Sequence, residues 1–543
     1  MTVTVQSTFV ATLVDEWVRC GVTDVVVAPG SRSTPLALAV AGDARLRVHV
    51  HLDERAAGFF ALGLGMATAR PAVVVTTSGT AAVELHPAVV EASQARVPLL
   101  VCTADRPPEL HGVGAPQTVE QAGLYGSAVR WFVEPGPAEG LPAGAWRSLA
   151  SRMVAEAVAS PAGPGPVHAN LAFRDPLVGV AGELPDGRSD GGPWHRAVPA
   201  EVASHDPGPR GVGPGVRGIV VAGEGAPSEA GALGWPVLAD PRSGLRGTPN
   251  AVAAFDGILR VPDAPTPEVV VRCGAPPASK VLSQWLASLS PEVDQIVVDP
   301  HGGWPDPERV VTLRVRSLPS LPHSDPAWVD WWRRAEQAAQ AAIEATLATA
   351  DAATEPGVLR ALTRDLSPET TLFVSSSMPI RDVEWFGHPS SRHRVLANRG
   401  ANGIDGVVST ALGVAAADPT APVVAVVGDL AFLYDAGALL WSSSRELDLT
   451  VVVVDNGGGG IFSFLPQRAA LDPVMFERLF GTPHDVDIPA LASVYGVETL
   501  GSIADIAPGR GVRLVHVRTD RDRNVEVHDD LQAAIVRSVA GFG

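Results

Sequence analysis

Short runs of β-branched residues alternate with longer Ala- and Leu-rich stretches along the chain. DVVVAP (24–29), RVHVHLD (47–53), AVVVTT (72–77) and PLLVCTA (98–104) are apolar enough to predict buried strands. Between them, ERAAGFFALGLGMATA and TAAVELHPAVVEASQA predict helices, and VHANLAF (167–173) predicts a further strand. Strand, helix and strand in this rhythm predict a doubly wound parallel sheet, an α/β fold.

The rhythm stops at 181–216, where ELPDGRSDGGPWHR and HDPGPRGVGPG have the Gly/Pro composition of an interdomain linker. It resumes with RGIVVAGEG (217–225), WPVLAD (235–240), EVVVRCG (268–274) and QIVVDP (295–300), then a helix from Trp328 to about Ala350. A third stretch predicts strands at TLFVSS (371–376), RVLAN (394–398), PVVAVVGD (422–429), LTVVVVDN (449–456) and GVRLVHVR (511–518). The expected organisation is therefore three α/β domains, 1–180, 217–350 and 351–543, with a linker at 181–216. That fits 543 residues at about 150 per domain. No repeat of solenoid length interrupts the pattern.

Composition narrows the class. The net charge of −18 gives no basic footprint for nucleic acid. A hydrophobic fraction of 46% with 18% charged residues is that of a globular chain. No apolar run approaches the ~18 residues of a membrane span, and the N-terminus lacks the basic and apolar regions of a signal peptide. Cys20, Cys102 and Cys273 lie far apart and fit reduced thiols, so a cytoplasmic protein is expected. Lys280 is the sole lysine; arginine carries the rest of the positive charge.

Ligands of parallel sheets gather at the carboxyl ends of strands, where loops lead into helix N-termini. Two such ends in the third domain carry Gly428-Asp429 and Asp455-Asn456, with 26 residues between Asp429 and Asn456 and a glycine run, Gly457–Gly460, after them. Carboxylate, amide and carbonyl oxygens suit a hard divalent cation that bridges to phosphate, and glycines allow close backbone approach. A helix cap would explain Asp429 alone equally well; the pair with its glycines points to metal and diphosphate. In the first domain, Glu54 opens a predicted helix, which acidic residues favour in any case. Its apolar flanks nevertheless suggest a desolvated carboxyl with a raised pKa, able to exchange a proton with a ring nitrogen.

A diphosphate–metal motif late in the chain and a glutamate after an early strand resemble the thiamine diphosphate (ThDP) decarboxylase superfamily, with pyrimidine-binding, central and diphosphate-binding domains in that order. Leu430 stands where that superfamily has the second glycine of GDG, and Asp455-Asn456 where it has Asn-Asn. Longer strings narrow the match: APGSRSTPLALA (28–39), HLDERAAGFFALGLG (51–65), TTSGTAAVELHPAVVEA (76–92), ADRPPELHGVGAPQTVEQ (104–121), SSSMPIRD (375–382), NRGANGIDGVVSTALG (398–413), NGGGGIFSFLPQ (456–467) and FGTPHDVD (480–487). They resemble the 2-succinyl-5-enolpyruvyl-6-hydroxy-3-cyclohexene-1-carboxylate (SEPHCHC) synthases, the MenD family of menaquinone biosynthesis, across both outer domains and loosely in the central one.

The resemblance implies a ThDP-dependent transferase that decarboxylates 2-oxoglutarate and adds the resulting four-carbon nucleophile to isochorismate. Its active sites would lie between subunits of a homodimer or homotetramer. Glu54 would bond the aminopyrimidine ring. Gly428, Asp429 and Leu430 would line the diphosphate, and Asp429, Asn456 and the carbonyl of Gly458 would hold Mg²⁺ or Mn²⁺. Ile404 would buttress the cofactor, with Ile461, Phe462 and Leu465 as an apolar wall. Both substrates are anions, which arginine forks match. Arg32, Arg106, Arg381 and Arg399 lie in motif loops, joined by Ser31 and Ser377 as hydroxyl donors, Gln117 near the reacting centre and Lys280 from the central domain.

Three other readings are weaker. A flavin-linked ThDP oxidase would use the central domain, but GEGAPS (223–228) is an incomplete dinucleotide fingerprint. A non-catalytic relative sits poorly with Glu54, Asp429 and Asn456 together. A simple decarboxylase or acetolactate-type synthase would not need the arginines or the SSSMPIRD string. His301 and the histidines of RVHVHLD are expected to be structural.

Overall fold

The computed structural model describes residues 2–197, 212–262, 264–349, 353–389, 392–440, 442 and 445–542. It contains three six-stranded sheets with parallel strand pairs. The first is built from β1 (Asp24–Val27), β2 (Arg47–Val50), β3 (Ala72–Thr76), β4 (Leu99–Asp105), β5 (Trp131–Val133) and β6 (Pro166–Ala172), in the order β2-β1-β3-β4-β6-β5. The second comprises β7 (Gly218–Ala222), β8 (Val237–Ala239), β9 (Ala251–Val252), β10 (Val269–Cys273), β11 (Asp294–Val298) and β12 (Leu313–Val315), in the order β12-β11-β10-β7-β8-β9. The third has β13 (Thr371–Val374), β14 (Arg394–Leu396), β15 (Val423–Gly428), β16 (Asp448–Asp455), β17 (Glu498–Leu500) and β18 (Gly511–Arg518), in the order β14-β13-β15-β16-β18-β17. The α/β expectation holds. One strand differs: β2 was expected to be buried, but it is the edge of its sheet, with Val48 36% and Val50 45% exposed. The apolar alternation of RVHV marks a strand without telling an inner from an outer one.

The chain divides into two compact units, Met1–Ala200 with Asn398–Thr420 and Leu433–Leu449, and Glu201–Ala397 with Ala421–Phe432 and Thr450–Gly543. In the first unit, β1, β3, β4 and β6 are fully buried, and helices such as Val5–Arg19 and Trp146–Ala159 cover them with Phe9, Leu13, Trp17, Trp146 and Met153. The helix Glu54–Thr68 packs against the helix Val407–Ala417 at glycines. A Cβ on Gly63 would strike the Thr410 carbonyl, and one on Gly413 the Phe60 carbonyl. Only glycine allows backbones so close, so this contact fixes the helix that Glu54 opens. Of the expected linker, 198–211 lie outside the described residues. The part before them is tied down, with Arg147 Nε donating to Pro185 O and Trp194 N–H to Glu16.

In the second unit, the β7–β12 sheet has the strand order of dinucleotide-binding folds, whose ligand crevice opens where the order reverses, here between β7 and β10. That crevice is closed. A Cβ on Gly223 would strike Ala275 O, and one on Gly274 would strike Glu224 O. The cavity between Val221, Cys273 and Leu282 holds about 20 Å³, against several hundred for a cofactor site. Arg242, buried at the end of β8, pairs with Asp240 and Glu224 beside it. The strand order is that of a nucleotide binder, but among the described residues the loops at Gly223 and Gly274 meet backbone to backbone where the order reverses.

Candidate active site

In the second unit, β15 ends at Gly428 and delivers the buried Asp429 to the first residue of a helix. Asp429 Oδ1 accepts from its neighbour's N–H, Leu430, at 2.7 Å, and Oδ2 from Gly458 N–H at 2.7 Å. Gly458 has φ +146, and a side chain there would strike Gly481 O; Gly459 N–H donates to that same carbonyl at 2.7 Å. The glycine run thus lies flat against FGT (480–482), with the Gly458 N–H turned to Asp429 and the Gly457 N–H to Asp455. Burial raises the Asp429 pKa, and the N–H groups of Leu430 and Gly458 offset this only in part; Asp455 raises it further.

Asn456 follows β16. Its Nδ2 donates to Glu355 Oε1 at 2.9 Å, while its buried Oδ1 has no hydrogen-bond partner. His484, 55 residues after Asp429, brings Nε2 to 3.2 Å from Asp429 Oδ2 and 3.9 Å from Asp455 Oδ1. Asp455 is also held by His516 Nε2 at 2.7 Å and Arg518 at 3.0 Å. Burial works against its ionisation, but His516, the Gly457 N–H and Arg518 outweigh it and keep the pKa low. Asp429, Asp455 and His484 offer ligand atoms within 4.8 Å of one another. The apolar candidates follow on the 3₁₀ turn Gly460–Phe464: Ile461 and Phe462 are half-buried, Phe462 meets the Phe480 ring at 5.4 Å, and Leu465 is exposed.

Ser377 starts the helix Met378–Phe386 with φ +74 and a free-standing side chain that caps nothing. Arg381 NH1 donates back to Ser377 O at 2.5 Å, so the two candidates sit together; burial lowers the Arg381 pKa. Lys280 is exposed at the start of the helix Lys280–Ser288, two residues after Ala278, whose N–H donates to Glu384 at 2.7 Å. The segment bearing Lys280 is therefore fastened to the helix bearing Arg381. Arg246 grips the same end of that helix, donating to Val383 O and Glu384 O at 2.9 and 2.6 Å.

In the first unit, candidates gather at the strand ends. Glu54 is half-buried behind an Asp53 cap. Its pKa is raised, first by burial and then by Asp53 and Glu84, against a backbone N–H that lowers it. Arg32 is buried; its guanidinium donates to Phe173 O at 3.0 Å and its backbone N–H to Thr77 Oγ1 at 3.3 Å; Ser31 beside it is exposed. Burial and the charge of Arg32 both lower the Arg106 pKa, so the two guanidinium groups stand near each other. Gln117, with φ +56, donates from Nε2 to Ser78 O at 2.9 Å and accepts there from the Ser78 hydroxyl through its backbone carbonyl. Arg399 and Ile404 sit on a loop pinned at its start by Asn398 Nδ2 to Thr410 Oγ1, 3.0 Å. Glu91 pins the middle, accepting from Gly400 and Ala401 N–H at 2.7 and 2.6 Å. The histidines of RVHVHLD have partners within the fold: His49 meets Asp24 at 2.9 Å, and His51 accepts from Arg445 at 2.9 Å with its pKa pushed down to about 3 by burial and Arg445.

The residues missed in the sequence are Glu91, Glu355, His484, His516 and Arg518. Each reaches the site from a distant segment. His484 lies in the FGTPHDVD string, Glu91 in TTSGTAAVELHPAVVEA and His516 and Arg518 in GVRLVHVR, but none of these strings shows the partner.

Two family models match: the thiamine pyrophosphate enzyme N-terminal TPP-binding domain over residues 7–124, and the C-terminal TPP-binding domain over residues 385–509. Proteins named 2-succinyl-5-enolpyruvyl-6-hydroxy-3-cyclohexene-1-carboxylate synthase align over nearly their whole length. One from Thermobifida fusca is 44% identical over 97% of this chain and 98% of its own. One from Chloroflexus aurantiacus is 41% identical over 98% and 97%, and one from Bacillus velezensis 39% over 98% and 98%. Identity at this level along full chains, with both TPP-binding domains in place, leaves one assignment: the chain belongs to the SEPHCHC synthase family of thiamine diphosphate-dependent enzymes.

Proposed function

We propose that the protein decarboxylates 2-oxoglutarate and joins the remaining four-carbon unit to isochorismate by conjugate addition, using ThDP with Mg²⁺ or Mn²⁺, in the cytoplasm as a homodimer or homotetramer with active sites between subunits. The observation that carries this is the pairing of the buried Asp429 carboxylate, bonded to Gly458 N–H, with an Asn456 carbonyl oxygen that is buried and unpartnered. Buried polar atoms without partners are rare and call for an occupant. Carboxylate, amide oxygen and a main-chain carbonyl are the donor set of a hard cation that also takes phosphate oxygens, so these residues fit the group. Asp429, Asn456 and the carbonyl of Gly458 would hold the metal, with Gly428 and Leu430 along the diphosphate. Ile404, Ile461, Phe462 and Leu465 would bound the rings.

When bound, ThDP supplies a carbon nucleophile and a sink for the charge left by loss of CO₂. The chain supplies the rest. Glu54, its pKa raised first by burial, would exchange a proton with the pyrimidine ring nitrogen. Arg32, with Asp175 at 3.5 Å, and Arg106 would offer two guanidinium groups to a substrate carboxylate, and Arg381 and Arg399 add two further forks. Ser31, Ser377 and Gln117 donate hydrogen bonds that orient the substrates, and Lys280 adds a charge from the second sheet. The test is a mixture of the protein with ThDP, Mg²⁺, 2-oxoglutarate and isochorismate, following isochorismate absorbance. Consumption that stops when any one component is omitted is expected; turnover of pyruvate in place of 2-oxoglutarate, or no consumption, would refute the proposal.

A further inference from the structure

We propose that Glu355 is a positioning residue for the cation, fixing the Asn456 amide so that its oxygen and not its NH₂ is offered to the metal. The inference rests on the cation site proposed above and concerns a residue outside it, 101 positions away in sequence.

A side-chain amide has two ends of nearly equal size and opposite character: an oxygen that accepts and an NH₂ that donates. A hard cation takes only the oxygen. An asparagine ligand therefore needs something that distinguishes its ends. Glu355 opens the helix Glu355–Asp365, behind a Thr354 cap, and is 2% exposed. Its Oε1 accepts from Asn456 Nδ2 at 2.9 Å and from the Thr519 hydroxyl at 3.1 Å. Oε1, already accepting from Thr519, presents the amide with an acceptor and welcomes its NH₂; a turned amide would set oxygen against oxygen. Gly460 lies against the Asn456 side chain closely enough that a Cβ there would meet Nδ2, so the amide is confined between Glu355 and the glycine run. The opposite end, Oδ1, is the buried atom without a partner. Thr519 belongs to the same arrangement, its N–H donating to Asp455 O at 2.9 Å and its hydroxyl to Glu355. Glu355 is thus anchored from one side and orients Asn456 on the other. Such outer partners of a metal ligand typically change affinity by about 10–100-fold when removed.

The test is Mn²⁺ binding to the full chain at pH 8 with saturating ThDP, free Mn²⁺ read by electron paramagnetic resonance, with the melting temperature of the metal-free protein measured alongside. Glu355→Leu should weaken Mn²⁺ binding by about 10–100-fold. Asn456→Ala should weaken it at least as much, and the double variant should be no weaker than Asn456→Ala alone, because Glu355 acts only through the amide. Wild-type affinity in Glu355→Leu while Asn456→Ala is impaired, or losses that add in the double variant, would overturn the positioning role. Wild-type affinity in Asn456→Ala would instead remove the cation site and the inference with it. Should Glu355→Leu not fold, Glu355→Gln decides, since a glutamine no longer prefers one end of the amide: Mn²⁺ should bind about threefold or more weakly, and unchanged affinity overturns the proposal.

Discussion

The first and third sheets are the same object built twice. Numbered within its own sheet, each runs 2-1-3-4-6-5, with pairings such as β1–β3 and β13–β15 in parallel register. Their strand ends carry different chemistry. The first sheet presents a half-buried carboxyl at Glu54 and two neighbouring guanidinium groups, Arg32 and Arg106. The third presents oxygen donors, Asp429 and Asn456, on a glycine run pressed against Gly481. The second sheet makes the contrast from the other direction: its strand order is that of nucleotide binders, yet its crevice is shut by Gly223 against Ala275. Strand order places a site at the carboxyl edge; the loops decide what, if anything, can bind there.

That division of labour can be broken at each end. Glu54→Gln removes the carboxyl proposed to exchange the proton at the first sheet but leaves the third intact, so turnover should fall by about 10²–10⁴-fold while Mg²⁺-dependent ThDP binding by calorimetry stays near wild type. Near-normal turnover would take Glu54 out of the chemistry. Asp429→Ala is the mirror experiment: ThDP affinity at fixed Mg²⁺ should drop on the order of 100-fold, and an unchanged affinity would deny Asp429 its metal. Glu91→Gln replaces one acceptor of the Gly400 and Ala401 N–H pair by a donor. The loop bearing Arg399 then shifts, and since small misplacements near a reacting centre are expensive, kcat/KM for isochorismate should fall about tenfold with ThDP affinity unaltered. Equal losses in both would mark Glu91 as merely structural. Smallest in effect, Gly63→Ala drives a methyl into the Thr410 carbonyl; overpacking of this kind costs about 1–3 kcal/mol, to be read from urea denaturation.

Much of this was legible in the sequence because it is local. Long β-branched runs such as VVAVVG and the glycines after Asn456 announce strands and close-packed loops wherever they fold. The strands that escaped notice, β5, β9, β12 and β17, have two or three residues each, too few for a period to show. Strand β2 showed its period but not its place at an edge, which depends on neighbours. The site divides along the same line. Glu54, Asp429 and Asn456 stand at strand ends and could be read there. Glu91 reaches its loop across 309 residues and Glu355 its amide across 101; each looks in sequence like an ordinary helix acid, and only the fold gives it a partner. For the histidines of RVHVHLD, the partners Asp24 and Arg445 likewise come only from the fold.

The central claim is that one carboxyl at the first sheet and two oxygen donors at the third hold opposite ends of a single ThDP. A crystal structure of the protein with ThDP and Mn²⁺ tests it directly. The account predicts anomalous scattering from manganese bonded to Asp429 and to Asn456 Oδ1, and a Glu54 carboxyl within hydrogen-bond distance of the pyrimidine ring. Manganese bound elsewhere, or a pyrimidine ring with no contact to any Glu54 in the assembly, would contradict it.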